Sequence, residues 1–160
     1  AAAGAAEGFM TAIAPGSACR IGNEYYKTDE EFLFACADAL REEYKAIVDA
    51  GLILQLDDPS LAENYDMINP EPPLDEYRQF AALRVDALNH AIRGLPEDRI
   101  RLHLCWGSWH GPHTTDIAMK DIVDVCWAPR SKRIRSRRAT SATSTNGGSG
   151  GTRSCPRGKP

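Results

Sequence analysis

Three short apolar segments recur along the chain, and longer amphipathic segments separate them. The short segments are FMTAIA (residues 9–14), LILQL (residues 52–56) and IRLHLC (residues 100–105). Their length and composition are typical of buried strands, and each precedes a segment with helical periodicity. The order predicts three strand–helix units in a parallel α/β sheet whose strands are covered on both faces.

The segment after the first strand predicts a long helix. Thr28 and Glu31 form a T-x-x-E capping box, in which each side chain can satisfy a backbone donor at the helix start. Apolar residues then follow at intervals of three or four positions until Gly51, which ends the helix. Residues 60–73 carry Asn, Asp and proline and predict a loop.

Two further helices follow from the same signals. Pro72 and Pro73 mark the start of a helix that runs to about Arg93, because proline is tolerated in the first turn. A third helix is predicted to begin at Ile117, after capping residues Thr115 and Asp116.

The chemically interesting residues lie where each predicted strand ends. Pro15-Gly16, Asp57-Asp58 and Cys105-Trp106 all fall at this point. In (β/α)8 barrels and open α/β sheets, ligands bind at the carboxyl edge of the strands. A complete barrel needs about 250 residues, so three units can form only part of one.

Charge divides the chain into two regions. Residues 1–126 hold 10 Lys/Arg and 22 Asp/Glu (10 − 22 = −12), whereas residues 127–160 hold 9 Lys/Arg and no acid, a balance of +9. We therefore expect an α/β domain over 1–126 and a disordered basic tail over 127–160. No apolar run is long enough to span a membrane, and a soluble cytoplasmic protein is expected. Five cysteines without CxxC spacing do not suggest a disulfide framework or a zinc ribbon.

A metal site is one interpretation of His103 and Cys105. Residues two apart on a strand point to the same face, and zinc takes imidazole nitrogen and thiolate sulfur as ligands. Buried cysteine is also common packing material, and His110 and His113 could be surface residues of a Gly-Pro loop. Likewise, Asp57-Asp58 could be a solvated strand end.

Several ordered segments together resemble one enzyme family. They are FMTAIAPG, YYKTDEEFLFACADALREEYKAIVDAGLILQLDDPSLA, DALNHAIRGLP and RLHLCWGSWHGPHTTDI. Over about residues 7–125 the chain resembles the cobalamin-independent methionine synthase family, in particular its shorter bacterial methionine synthase II-like branch, which is similar to epoxyalkane:coenzyme M transferases.

The resemblance implies a (β/α)8 barrel with zinc at the carboxyl ends of the strands. It also implies alkyl transfer to a zinc-bound small-molecule thiol, such as homocysteine with a methyltetrahydrofolate-type donor. His103 and Cys105 match the H-x-C zinc ligands of the family. Asp57 matches the first acid of a D-E-P segment that holds the substrate's amino group, and Asp58 stands where the family has Glu.

Two more residues join this expected site. Trp106, directly after Cys105, is assigned to substrate binding, and His113 is the candidate catalytic residue.

The tail departs from the family pattern. The relatives continue with a strand resembling AYSFEA, whose Glu is the expected third zinc ligand, and a segment resembling NPRHEHEW. Codons can be chosen that encode residues 132–150 and that, when read from the third base of the first codon, encode AYSFEAGNERHEHEWRVW. We therefore hypothesise a frame slip near Val125 or Cys126, which would leave an incomplete and inactive chain without that Glu.

Two other classes of function stay open at this stage. The basic tail could bind nucleic acid through phosphate contacts, although it has no recognisable binding module, so a nucleic-acid partner is not favoured. Alternatively, the domain could be a metal-free α/β enzyme.

Overall fold

The structure, a computed structural model, describes residues 7–108, 110 and 112–126. The segment after the proposed frame slip, where the strand of the relatives is expected, and the basic tail therefore lie outside the described residues. Within them the protein is a mixed α/β fold with a three-stranded parallel sheet in the order β1-β2-β3. Its elements are β1 (Phe9–Ile13), α1 (Pro15–Ala18), a 3-10 turn (Cys19–Ile21), α2 (Asp29–Asp49), β2 (Ile53–Asp57), α3 (Ser60–Met67), α4 (Leu74–Ile92), a 3-10 turn (Glu97–Arg99), β3 (Ile100–His103) and α5 (Met119–Cys126).

The predicted Thr28 cap forms at the start of α2, but the Glu31 side chain bonds the amide of Lys27 instead of that of Thr28. The Glu31 amide donates to Thr28 Oγ1 at 3.1 Å, and Glu31 Oε2 accepts from the Lys27 amide at 3.1 Å. The helix is followed by Gly51 in the left-handed region, with φ of 79°. Both ends of this helix therefore follow from local sequence signals.

The main core lies between one face of the sheet and helices α2 and α4. We call this side of the sheet the helix face; its buried strand residues are Ala12, Leu54, Leu56, Ile100 and Leu102. A second cluster packs α3 and α4 against α5 and the segment after β3, with Leu61, Tyr77, Leu104, Ile117 and Ile122 at its centre.

The opposite side of the sheet is the open face, and it corrects the prediction that both faces are covered. Its residues are Phe9, Thr11, Ile13, Ile53, Gln55, Asp57, Arg101 and His103. Phe9 is 53% exposed and Ile13 45%, and no residue of this face is fully buried. Within the described residues, helices cover one face of the sheet, and the apolar strand composition did not reveal which face lacks cover.

The loop predicted over residues 60–73 is also wrong in its first half, where α3 forms. Leu61, Ala62 and Asn64 are buried in this short helix. The Ser60 hydroxyl donates to the buried Asp58 carboxylate at 2.6 Å, a contact that orders the chain where the helix begins. Propensity missed the helix because its buried side chains are stabilised by packing on distant segments, which local sequence does not show.

The third predicted helix begins later than expected, at Met119 instead of Ile117. Thr115 donates its hydroxyl hydrogen bond to Asp66 instead of capping the helix. No helix of the described residues has the length and apolar character needed to cross a bilayer.

Candidate metal centre

The carboxyl ends of the three strands meet at one edge of the sheet. Asp57, the last residue of β2, pairs in register with Ile13 of β1 on one side and His103 of β3 on the other. Cys105 follows two residues after His103, just beyond the end of β3. The parallel register therefore places an acid beside the H-x-C pair, on the open face.

Asp57, His103 and Cys105 form one tight cluster. Their carboxylate oxygen, imidazole nitrogen and sulfur atoms all lie within 4.8 Å of one another. His103 Nε2 is 3.5 Å from Asp57 Oδ1. That oxygen is buried and accepts no hydrogen bond from the described residues, although the Asp57 side chain as a whole is 47% exposed.

The surroundings of Cys105 favour the uncharged thiol. Burial is the largest cause that raises its pKa, and the nearby Asp57 and Glu63 carboxylates raise it further. The Gly107 backbone N–H hydrogen-bonds the sulfur and acts in the opposite direction. A cation at the cluster would reverse this balance, because positive charge favours the thiolate.

The donor set fits zinc. One imidazole nitrogen, one sulfur and one carboxylate oxygen are ligand types that Zn²⁺ takes, and catalytic zinc sites use three protein ligands with one open position. The shielded Asp57 oxygen without a hydrogen bond is the kind of atom that a cation would satisfy. Asp57, His103 and Cys105 could therefore hold zinc together.

The structure separates the two neighbouring acids. Asp58 is fully buried on the helix face, where its Oδ1 accepts hydrogen bonds from Ser17 Oγ at 2.9 Å and Ser60 Oγ at 2.6 Å. Burial raises the pKa of Asp58, while the two serines and Arg84 oppose the increase. Asp58 therefore joins α1 to the start of α3 and does not lie with Asp57, as a shared substrate site would need.

Trp106 and His113 lie near the edge but outside the three-residue cluster. Trp106 Nε1 donates to the Ile117 carbonyl at 2.8 Å, and its ring packs on the second apolar cluster. His113 Nδ1 is 3.1 Å from Asp116. His110 is exposed. The roles of Trp106 in substrate binding and of His113 in catalysis stay predictions.

Two charged residues beside the cluster were missed from the sequence. Glu63, in the first turn of α3, pairs with Arg20 from the turn after β1 at 2.7 Å. Glu63 was missed because residues 60–73 were predicted to be a loop. A helix predicted to start just after Asp58 would have placed Glu63 at the carboxyl edge of the sheet.

A separate cavity of about 520 Å³ lies away from the cluster, at the opposite end of β3. Phe34, Asn89, His90, Leu95 and Ile100 are among the residues that line it. The three-residue cluster and this cavity are therefore separate features of the structure.

The chain is similar to curated methionine synthases of archaea. It is 30% identical over 103 residues to methionine synthase of Saccharolobus islandicus (strain L.S.2.15 / Lassen #1), covering 62% of this chain and 27% of that protein. The methionine synthase of Saccharolobus solfataricus is 29% identical over the same length and coverage. That of Sulfolobus acidocaldarius is 28% identical, covering 62% of this chain and 26% of that protein.

The chain spans about a quarter of the length of these curated relatives. No family model and no solved structure matches it. The comparisons thus relate the chain to methionine synthases at a coarse level and leave the particular branch open.

Proposed function

We propose that the chain is part of a zinc-dependent methyltransferase that acts on a small-molecule thiol. The observation that carries this proposal is the cluster of Asp57, His103 and Cys105 at the carboxyl edge of a parallel sheet. The similarity to archaeal methionine synthases supports thiol methylation as the reaction class, with homocysteine and a methyltetrahydrofolate-type donor as substrates.

Each residue of the cluster has a part in this function. His103 and Cys105 bind the metal through nitrogen and sulfur, and Asp57 holds the third protein position in this chain. Zinc, when bound, lowers the pKa of a coordinated substrate thiol so that the thiolate is available at neutral pH. The open face leaves a side from which a thiol can approach, since Asp57 is 47% exposed.

In a longer chain that supplies a later Glu ligand, Asp57 would have a different role. There the metal would have three ligands without Asp57, and this carboxylate would be left to bind the amino group of the thiol substrate. The two roles differ in one measurable respect: an Asp57→Asn substitution weakens metal binding only where Asp57 is a ligand.

The described fold is proposed to be about three units of a (β/α)8 barrel. The strand order, the parallel register and the helices on one face are those of consecutive barrel units. The open face would then form part of the barrel interior. On this proposal residues 1–126 belong to the barrel domain, and residues 127–160 are a tail outside it.

Metal binding by the 160-residue chain tests the site. We expect about one zinc or cobalt(II) ion per chain, with the sulfur-to-cobalt charge-transfer absorption that a thiolate ligand produces. His103→Ala combined with Cys105→Ser should abolish both signals. Stoichiometric metal that survives this double substitution would refute the assignment to these residues. Absence of stoichiometric metal from the parent chain would favour a metal-free enzyme.

Matched controls come from the same residue types elsewhere. His90, which bonds Asp38 at 2.6 Å on the helical layer, and Cys36 of α2 lie outside the cluster. His90→Ala with Cys36→Ser should leave metal stoichiometry and the cobalt spectrum unchanged.

The coding DNA tests whether the site is completed elsewhere. Translation across the Val125 region should give, in the alternative frame, a strand with Glu followed by a HEHEW-like segment. The full-length protein in that frame should methylate homocysteine, whereas the present chain should not. Absence of the Glu-containing strand in that frame would end the frame-slip hypothesis.

A nucleic-acid role for the basic tail gains no support from the described residues, because the tail lies outside them. Binding of RNA or DNA that weakens steeply with added salt would establish it.

A further inference from the structure

Glu63 touches the segment that carries Cys105. A methyl group built on Gly107 would lie 2.1 Å from Glu63 Oε1 and 2.5 Å from its Cδ. Such distances are far inside van der Waals contact, so the carboxylate rests directly against the Gly107 backbone. No side chain larger than hydrogen fits between them.

Gly107 lies in the turn that directly follows Cys105. Its φ is 79°, a conformation that glycine adopts without strain. Any other residue at this position would be strained and would also collide with Glu63. The position of Glu63 therefore bears on the position of the thiol through one residue.

Arg20 holds Glu63 in place. Its Nη1 lies 2.7 Å from Glu63 Oε2, and its Nη2 lies 2.6 Å from the Met67 sulfur. The side chains of Arg20 and Glu63 are only 28% and 23% exposed. Because this ion pair is partly shielded from water, it is screened less than a surface ion pair, which contributes about 0–1 kcal/mol to stability.

The three segments that follow the strands each contribute one residue to this contact. Arg20 follows β1, Glu63 follows β2 and Gly107 follows β3. The contact lies beside the Asp57, His103 and Cys105 cluster, and none of its three members belongs to that cluster.

We propose that Glu63 is a positioning residue for Cys105. Held by Arg20, its carboxylate packs on Gly107 and fixes the turn that follows Cys105, so that the thiol stays beside Asp57 and His103. The geometry of the thiol depends on this contact whether or not a metal binds. The consequence for metal affinity rests on the proposed function.

Alkylation of individual cysteines in the 160-residue chain tests the proposal without metal. The chain is treated with iodoacetamide at one fixed pH, and modification of each cysteine is followed by mass spectrometry. Glu63→Gln removes the charge and keeps the shape, whereas Glu63→Ala removes both. Both variants lack the charge, so they differ only in packing against Gly107. Because a loosened turn exposes the sulfur, and reactivity rises with exposure, we expect Cys105 to react at least about threefold faster in the Ala variant than in the Gln variant.

The comparison between these two variants decides the proposal. Equal Cys105 rates in Gln and Ala variants would mean that Glu63 acts through charge alone or not at all, which would overturn it. Cys126 is buried and serves as a folding reporter, because its rate rises if a variant unfolds. Should the Ala variant unfold, Arg20→Met in the Glu63→Gln background is the second test, because no carboxylate charge is then left to change the thiol pKa. Alkylation of Cys105 should be faster than in Glu63→Gln alone, and an unchanged rate would count against the proposal.

A surface ion pair provides the matched control. Lys45 and Asp49 lie 3.2 Å apart on α2, with side chains 58% and 64% exposed. Asp49→Asn should leave the Cys105 rate unchanged.

Cobalt(II) titration of the same variants separates this proposal from the proposed function. The Ala variant should bind cobalt about tenfold more weakly than the Gln variant, in the range seen for residues that support ligands. If the parent chain binds no cobalt, the metal function fails, while the alkylation rates still decide the role of Glu63.

Discussion

The two faces of the sheet are built by the same three strands but have different surroundings. Leu56 and Asp58 point to the helix face and are fully buried, whereas Ile13 and Asp57 point to the open face and are about half exposed. Asp57 and Asp58 are adjacent in sequence, yet one joins a cluster of metal-ligand types and the other joins a buried hydrogen-bond network. The difference indicates that stability resides mainly on one face and chemistry on the other.

The largest expected effect is on the helix face. Leu56→Ala leaves a cavity in the main core and should lower the free energy of unfolding by about 2–5 kcal/mol. Ile13→Ala, on the open face, should change it by about 0.5 kcal/mol or less. Urea unfolding of both variants measures the difference, and equal losses would contradict the distinction between the faces.

The paired acids give the next largest contrast. Asp58→Ala removes the acceptor of two buried serine hydroxyls, Ser17 and Ser60, and should destabilise the fold by about 1–3 kcal/mol. Asp57→Ala should leave the unfolding free energy nearly unchanged and weaken metal binding. A variant of Asp57 that unfolds as readily as that of Asp58 would show that both acids are structural.

The pH dependence of stability sharpens the same contrast. Burial raises the pKa of Asp58 in the folded state above its value in the unfolded chain. Between these two values the folded state binds more protons, so stability falls as pH rises, by about 1.4 kcal/mol for each unit of pKa difference. The stability of the parent chain relative to Asp58→Asn should thus decrease from about pH 4 up to the folded pKa, and then stay level.

The check is a pair of unfolding curves measured over the same pH series. Subtracting the Asn variant from the parent removes the contribution of the other titrating groups. A difference that does not change with pH would mean that Asp58 keeps the same pKa in both states.

The smallest expected effect concerns the open face. Zinc at saturating concentration should slow alkylation of Cys105 by about tenfold, because a coordinated sulfur is less available to the reagent. Cys36, on the helical layer, should react at an unchanged rate. Equal protection of both cysteines would point to non-specific zinc binding.

Local signals predicted the strands and the longest helix well. The apolar runs located all three strands to within a few residues, and the Thr28 cap and Gly51 defined α2. These signals involve residues close in sequence, so they can be interpreted without the fold. The nearness of His103 and Cys105 also followed from strand alternation, and the cluster is consistent with it.

The features that were not predicted depend on contacts between residues far apart in the sequence. Asp58 is oriented by Ser17, 41 positions away, and Glu63 by Arg20 from another loop. The register that sets Asp57 beside His103 is a property of the paired strands, which single-sequence periodicity does not contain. The lack of cover on the open face likewise depends on what packs there, not on the strands themselves.

Asp57 and His103 end the two strands of one crossover, which runs from β2 through α3 and α4 to β3, and Cys105 lies just beyond β3. A metal ion bound to all three would cross-link the two ends of this crossover through coordination bonds. Like other cross-links, it would lower the conformational entropy that folding must overcome. Metal binding and ordering of these two strands would then be a single event. Under this view, metal availability would set how much of the chain is folded as well as what it can react with.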